Sequence, residues 1–283
     1  VLATHQAQLL EASRPGGALR WLGYLSSTGA LAPHSAASTR PGSRAFSAGV
    51  YGDHGGAWVD EDTPLRVTPA AGKPWLRAQA EMTWRQLHAE HALPVHVFRL
   101  GGIYGKRARL SSGCCIVADA LRAGPGRSII EARRGRADGG GSASQRSRGE
   151  KRYISRCHVA DIVTALLASM DAPAPGCVRP ACWSVLTRSG LTGLLLRSVY
   201  NVVDDDPASR AEVSAFADAL LRGEPEPPPP QQQQPGSDVV MLGRDEKRVR
   251  NTRLKRDLGV TLRFPDYRAG LRALHAADKT PFA

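Results

Sequence analysis

The chain has 283 residues, 42% of them hydrophobic, and carries 38 Lys and Arg against 26 Asp and Glu, a net charge of +12. It is long enough to bury one large core or two modest ones and too apolar to be disordered throughout. It holds no run of about 18 uncharged apolar residues, which excludes a membrane-spanning helix, and its five Cys are too few and scattered for a secreted disulfide framework, so a reducing compartment is expected.

The first residue is Val1 and opens no signal or transit peptide, so a processed or incomplete N-terminus is expected. Residues 19–27 (LRWLGYLSS) form a short apolar run ending in hydroxyls and predict a buried strand. Residues 30–49 are rich in Ala, Ser, Pro, Gly and Arg without apolar period and read as an insertion. Leu76, Ala80, Trp84 and Leu87 recur at helical spacing after Pro74, predicting a helix over 75–90. Residues 95–100 (VHVFRL) predict a strand and GGIYG the turn that follows it. A helix is expected over 114–123, a flexible basic loop over 133–150, and a strong helix over 159–170. Residues 177–198 show no clear period. A strand over 199–203 and a helix over 211–221 follow, then a Pro/Gln tract over 223–237. A basic helix over 246–258 is expected to stop at Gly259. Strands alternating with helices imply an α/β fold with a parallel sheet and crossover helices.

The positive charge is concentrated. Residues 101–156 hold 13 Lys/Arg against 4 Asp/Glu, and residues 244–256 hold 7 against 2. Such stretches are either solvated surface or an attraction for polyanions, which keeps an RNA partner as the alternative function. The 244–256 segment has no interleaved aromatic residues, so stacking on bases is not supported there.

In parallel sheets ligands bind beyond the C-terminal strand ends. Two such ends are chemically suggestive: Ser26-Ser27-Thr28-Gly29 and Arg99-Leu100-Gly101-Gly102-Ile103-Tyr104-Gly105. Hydroxyls there can polarise a carbonyl or hold an alcohol, and small residues let a flat ligand approach the backbone.

With 30–49 set aside, the text reads YLSSTG-VYGDHGGAWVDEDTPL. This, with RLGGIYG (99–105), ISRCHVADIVTALLASM (154–170), VYNVVDDDPAS (199–209) and KRVRNTRLKRDLGVTLRFPDYRAGL (247–271), resembles the extended short-chain dehydrogenase/reductases of the NAD-dependent epimerase/dehydratase family. The resemblance implies a Rossmann-like sheet, NAD or NADP as cofactor, and a nucleotide-sugar or similar alcohol/ketone substrate. It implies that Ser27, with Thr28 as its stand-in, polarises the substrate oxygen. It puts Ser26, Ser27 and Arg77 at the cofactor, Leu100, Gly101, Gly102 and Ile103 beside the nicotinamide, and His158 at a structural or substrate-contact position. Residues 1–18 look like the helix before the family's fourth strand. The Gly-rich turn that receives the pyrophosphate is not found, so a truncated Rossmann-like sheet is expected, with a C-terminal substrate-binding portion. Residues 1–132 would be the remaining half of the cofactor domain and 151–283 the C-terminal part. A homodimer is compatible with the family, and cytoplasm or plastid with the composition.

The chain departs from the family at its Tyr-x-x-x-Lys motif. Counting back from Glu81 puts Arg77 in the Lys place and Lys73 in the Tyr place, and no Tyr occurs from 52 to 103. Arg77 can still bind a ribose hydroxyl or phosphate, but a guanidinium is a poor proton shuttle. Lys73 would serve as a base only if held neutral. Whether the chain turns over a substrate is therefore left open. The insertion at 30–49 falls in the active-site turn and is either a lineage-specific loop or retained intron. No metal site is expected: His88, His91 and His96 have helical spacing but no completing Cys or carboxylates. Cys114, Cys115, Cys177 and Cys182 have no thiolate-favouring environment in the sequence.

Overall fold

In a computed structural model the described residues are 2–14, 16–28, 49–105, 152–172, 198–228 and 246–276. In chain order they form α1 (Leu2–Ala12), β1 (Leu22–Ser27), β2 (Trp58–Val59), α2 (Lys73–His91), β3 (Val95–Leu100), β4 (Gly102–Tyr104) and β5 (Arg156–His158). Then come α3 (Val159–Asp171), β6 (Val199–Val202), α4 (Arg210–Arg222), β7 (Arg248–Val249), α5 (Thr252–Leu258) and α6 (Tyr267–His275). The helix expected over 114–123 and the loop over 133–150 lie outside the described residues. So do nearly all of 30–49 and 177–198 and most of 223–237.

The main sheet is parallel, in the order β1-β3-β6. Its strands come from both sides of the 133–150 segment, so the two expected portions of the chain share one sheet. One face carries Phe98, Leu100, Tyr200 and Val202, packed on Ile162 and Ala165 of α3 and Leu254 of α5. The other carries Val95, Val97 and Val199, packed on Leu87 of α2 with Leu9 and Leu10 of α1 against them. Phe98 is fully buried, which stabilises the fold by about 2–3 kcal/mol. Two further parallel pairs, β2-β7 and β4-β5, sit beside this sheet.

Local chemistry sets the helix ends. Pro74 opens α2 where its missing N–H costs nothing. His158 caps α3, its Nδ1 accepting from the Ala160 amide at 3.1 Å. Ser209 caps α4 in the same way through the Glu212 amide at 3.1 Å. Gly259 ends α5 at a φ of 63°, a left-handed conformation that glycine adopts without strain.

Two expectations are corrected. The basic helix over 246–258 is a strand, Arg248–Val249, followed by a shorter helix, Thr252–Leu258. Arg248, Val249 and Arg250 alternate with period two, and Val249 is buried while Arg250 is exposed. The GGIYG stretch is not a plain turn: Gly102–Tyr104 pairs with Arg156–His158. Three elements have no counterpart in the sequence reading: β2, β5 and α6. The first two are short and take their shape from a partner strand. No described helix is long and apolar enough to cross a membrane.

Candidate functional site

The register lays two rows across the C-terminal end of the sheet. Ser26, Arg99 and Asn201 are neighbours on the face toward α2. Ser27, Leu100 and Val202 are neighbours on the face toward α3 and α5. Strand alternation thus separates the two serines, which the sequence treated as one unit. Ser26 is 5% exposed, and its Oγ has no hydrogen-bond partner. Ser27 is half-buried at the strand end, and its carbonyl accepts from the Val50 amide at 3.1 Å. Thr28 donates both its amide (2.8 Å) and its hydroxyl (3.1 Å) to the Leu100 carbonyl. Its hydroxyl proton is therefore committed to joining β1 and β3 beyond their last paired residues.

Helix α2 runs back over this face. Arg77 is half-buried on it, one turn before Glu81. Both act on the phenol of Tyr24, which lies two residues before Ser26 on the same face of β1. Burial, then Glu81, raises the Tyr24 pKa, and Arg77 opposes them. Lys73 is the exposed first residue of the helix.

The strand-end glycines also serve the protein's own packing. A Cβ on Gly101 would lie 2.9 Å from the Ser155 carbonyl oxygen and 3.0 Å from a Val203 methyl, so its smallness admits the protein's own chain. The Gly102 amide donates to the Ser155 carbonyl at 2.9 Å. Leu100 is buried in the core, with Ile103 packed against the same cluster. Of the expected nicotinamide neighbours, these are held mainly by packing.

A buried polar network beneath the strand ends is a feature the sequence reading missed. Arg99, 1% exposed, donates Nε and Nη2 to one Glu81 oxygen at 3.0 and 2.8 Å. Its Nη1 donates to the Tyr51 hydroxyl at 2.9 Å, and that hydroxyl donates to Asn201 Oδ1 at 2.8 Å. The Asn201 backbone N–H donates to Glu61 Oε1 at 2.7 Å. Burial pushes the Tyr51 phenol up to about 12 despite Arg99, so it stays protonated. Burial works against the Arg99 cation, but Tyr51 and Glu81 together outweigh it and its pKa is raised. The available signal was a charged residue in an otherwise apolar strand, VHVFRL, which demands a buried partner.

Among the described residues no group of three His, Cys, Asp or Glu could hold a metal. His88 Nδ1 contacts the Leu93 carbonyl at 2.7 Å, and His96 stacks with Trp21, Phe98 and Tyr200 at 6.1–6.3 Å. His158 is occupied as the α3 cap between Tyr104 and Phe264.

No protein-family model matches the chain, and no curated protein matches it. Among solved structures it is similar to a conserved protein of unknown function from Silicibacter pomeroyi. That match has 34% identity over 99% of this chain and 73% of the other, with a TM-score of 0.55. The chain belongs to the family of that protein. UDP-glucose 4-epimerase of Thermus thermophilus, solved as a complex with NAD, matches 96% of this chain and 68% of its own. It has 17% identity and a TM-score of 0.53. dTDP-glucose 4,6-dehydratase of Bacillus anthracis, also in complex with NAD, matches 93% of this chain and 63% of its own, with 17% identity and a TM-score of 0.51. The fold is accordingly the Rossmann-like fold that such epimerases and dehydratases share. The chain spans between about three-fifths and three-quarters of these three proteins.

Proposed function

We propose that this chain forms the nicotinamide side of an NAD- or NADP-binding site in an epimerase/dehydratase-like protein, acting on a nucleotide-sugar or similar alcohol or ketone. The observation that carries this reading is the Ser26 hydroxyl. It is buried, unpartnered, and set at the C-terminal end of a parallel sheet, where nucleotide ligands bind in this architecture. An orphaned buried hydroxyl costs about 1–3 kcal/mol unless a ligand or water satisfies it.

A bound nicotinamide would supply hydride exchange at a carbon–oxygen centre. The chain's own residues hold the partners of that exchange. Ser26 would hydrogen-bond the cofactor amide or the substrate oxygen, and Ser27 would meet the ligand only beyond the strand end. Arg77 would place a fixed positive charge for a ribose hydroxyl or phosphate, with Lys73 one turn earlier on the same helix. Thr28 fixes the turn. The phenol of Tyr51 is held between Arg99 and Asn201 and is not available to move a proton.

The test is thermal unfolding of the full-length protein with NAD+, NADH, NADP+ and NADPH in turn. A cofactor at 100 times its Kd stabilises the folded state by about 2.7 kcal/mol. The reading requires such a shift with at least one of them, reduced in Arg77→Ala. No shift with any of the four removes it.

A further inference from the structure

The outward face of the β2-β7 ribbon is a surface that the cofactor reading leaves unused. Alternation turns Val59 and Val249 into the core, at 1% and 2% exposure, and leaves Trp58, Arg248 and Arg250 on the other side. Tyr153 joins them from the segment before β5. Arginines and rings alternate along this face. The Arg152 guanidinium carbon lies 5.7 Å from the Tyr153 ring centre. That of Arg248 lies 4.8 Å from Tyr153 and 5.1 Å from Trp58, and that of Arg250 lies 5.3 Å from Trp58. Three separate segments build this alternation, so no stretch of sequence displays it.

The face is open. Trp58 is 39% exposed, and Arg152 and Arg250 are exposed. Arg248 donates Nε to the Gly56 carbonyl at 2.8 Å, and neither Arg248 nor Arg250 forms an ion pair among the described residues. One carboxylate, Glu246, offsets Arg152 on the face itself, and the acidic residues beside the ribbon accept local hydrogen bonds. Glu246 pairs with Arg152 at 3.1 Å, Asp53 accepts from the Gly55 and Glu246 amides, and Asp60 accepts from Thr63 and the Asp62 amide. A guanidinium stacked on a ring keeps its in-plane N–H edge free, and that edge matches a phosphate fork. The exposed part of the indole offers a flat apolar surface beside those cations.

We propose that this face binds single-stranded nucleic acid, with a base stacked on Trp58 and the flanking phosphates taken by Arg248 and Arg250. Stacking platforms beside cations bind single strands with little sequence preference, because every base has a π-face. An open ribbon favours a strand over a free nucleotide, since a strand also gains from the +12 charge of the whole chain.

The experiment is fluorescence anisotropy of a labelled single-stranded RNA oligonucleotide with the full-length protein across a potassium chloride series. Trp58→Ala is expected to weaken binding roughly tenfold or more with the salt slope unchanged, and Trp58→Phe to restore most of it. Arg250→Gln is expected to reduce the slope of log K against log salt by about 0.7, the single-strand value for one phosphate contact. Unchanged affinity in both Trp58→Ala and Arg250→Gln overturns the proposal and moves binding to the other basic segments. So does the absence of binding at low salt, or competition by uridine monophosphate as effective as by the oligonucleotide. Cofactor-induced stabilisation measured on Trp58→Ala is expected to match the parent, so the two proposals fail separately.

Discussion

Arg99 on β3 and Glu81 on α2 form an ion pair with both side chains essentially out of water, at 1% and 0% exposure. Both contacts, Nε at 3.0 Å and Nη2 at 2.8 Å, fall on the same carboxylate oxygen, and the other oxygen has no partner. The pair is thus satisfied on the arginine side and incomplete on the glutamate side. Glu81→Ala strands a buried cation and is expected to cost about 3–5 kcal/mol. Replacing both residues together, Glu81→Leu with Arg99→Met, is expected to cost far less, because no charge is then left uncompensated. Urea midpoints at unchanged slope measure both.

Tyr51 connects this pair to the third strand. Tyr51→Phe keeps the ring and its burial but removes the hydroxyl that accepts from Arg99 and donates to Asn201. Two buried polar groups then lose a partner, and about 1–3 kcal/mol of stability goes with them. A loss well under 1 kcal/mol would show that water replaces the hydroxyl.

His96 predicts an acid-side loss of stability. Burial, with the nearby His88 adding to it, pushes the ring down to about 4, from an ordinary value of 6.5. The unfolded chain then binds the proton more readily than the folded one below pH 6.5. Stability contributed by the neutral ring is present above that pH and is lost as pH falls toward 4, by about 3 kcal/mol in all. His96→Phe preserves the stack with Trp21 and Tyr200 and is expected to flatten the stability profile between pH 6.5 and 4. An unchanged profile would assign the slope to other groups.

Asp204 predicts the opposite sign. It is 2% exposed, one carboxylate oxygen has no partner, and burial raises its pKa well above the usual range, with Arg156 opposing. A raised carboxylate gives stability that is present at low pH and lost as pH rises through the folded value. Asp204→Asn removes the charge while keeping the shape. It is expected to raise the unfolding temperature at pH 7 and to make no difference below about pH 4. Equal effects at both pH values would mean that the carboxylate is not the cause.

The order of the main strands and helices along the chain, and the parallel α/β class, follow from local signals. β1, β3, β6, α2, α3 and α4 all stand within a few residues of their expected places. Those elements are read from apolar period and end chemistry, and both are local. The sequence by itself also placed Ser26 at a strand end and Arg77 on the following helix. What it did not show is which side of the sheet each residue faces. The β1-β3 register sends Ser26 toward α2 and Ser27 away from it, and register is a property of two strands. The segment 246–258 shows the same limit: helical charge pattern and strand alternation compete there, and pairing with Trp58–Val59 decides for the strand. Arg99, Glu81, Tyr51 and Asn201 lie as much as 150 residues apart, as do the arginines and rings around Trp58 on a similar scale. Only folding brings them together, because a buried charge or an exposed ring acquires its partners through space.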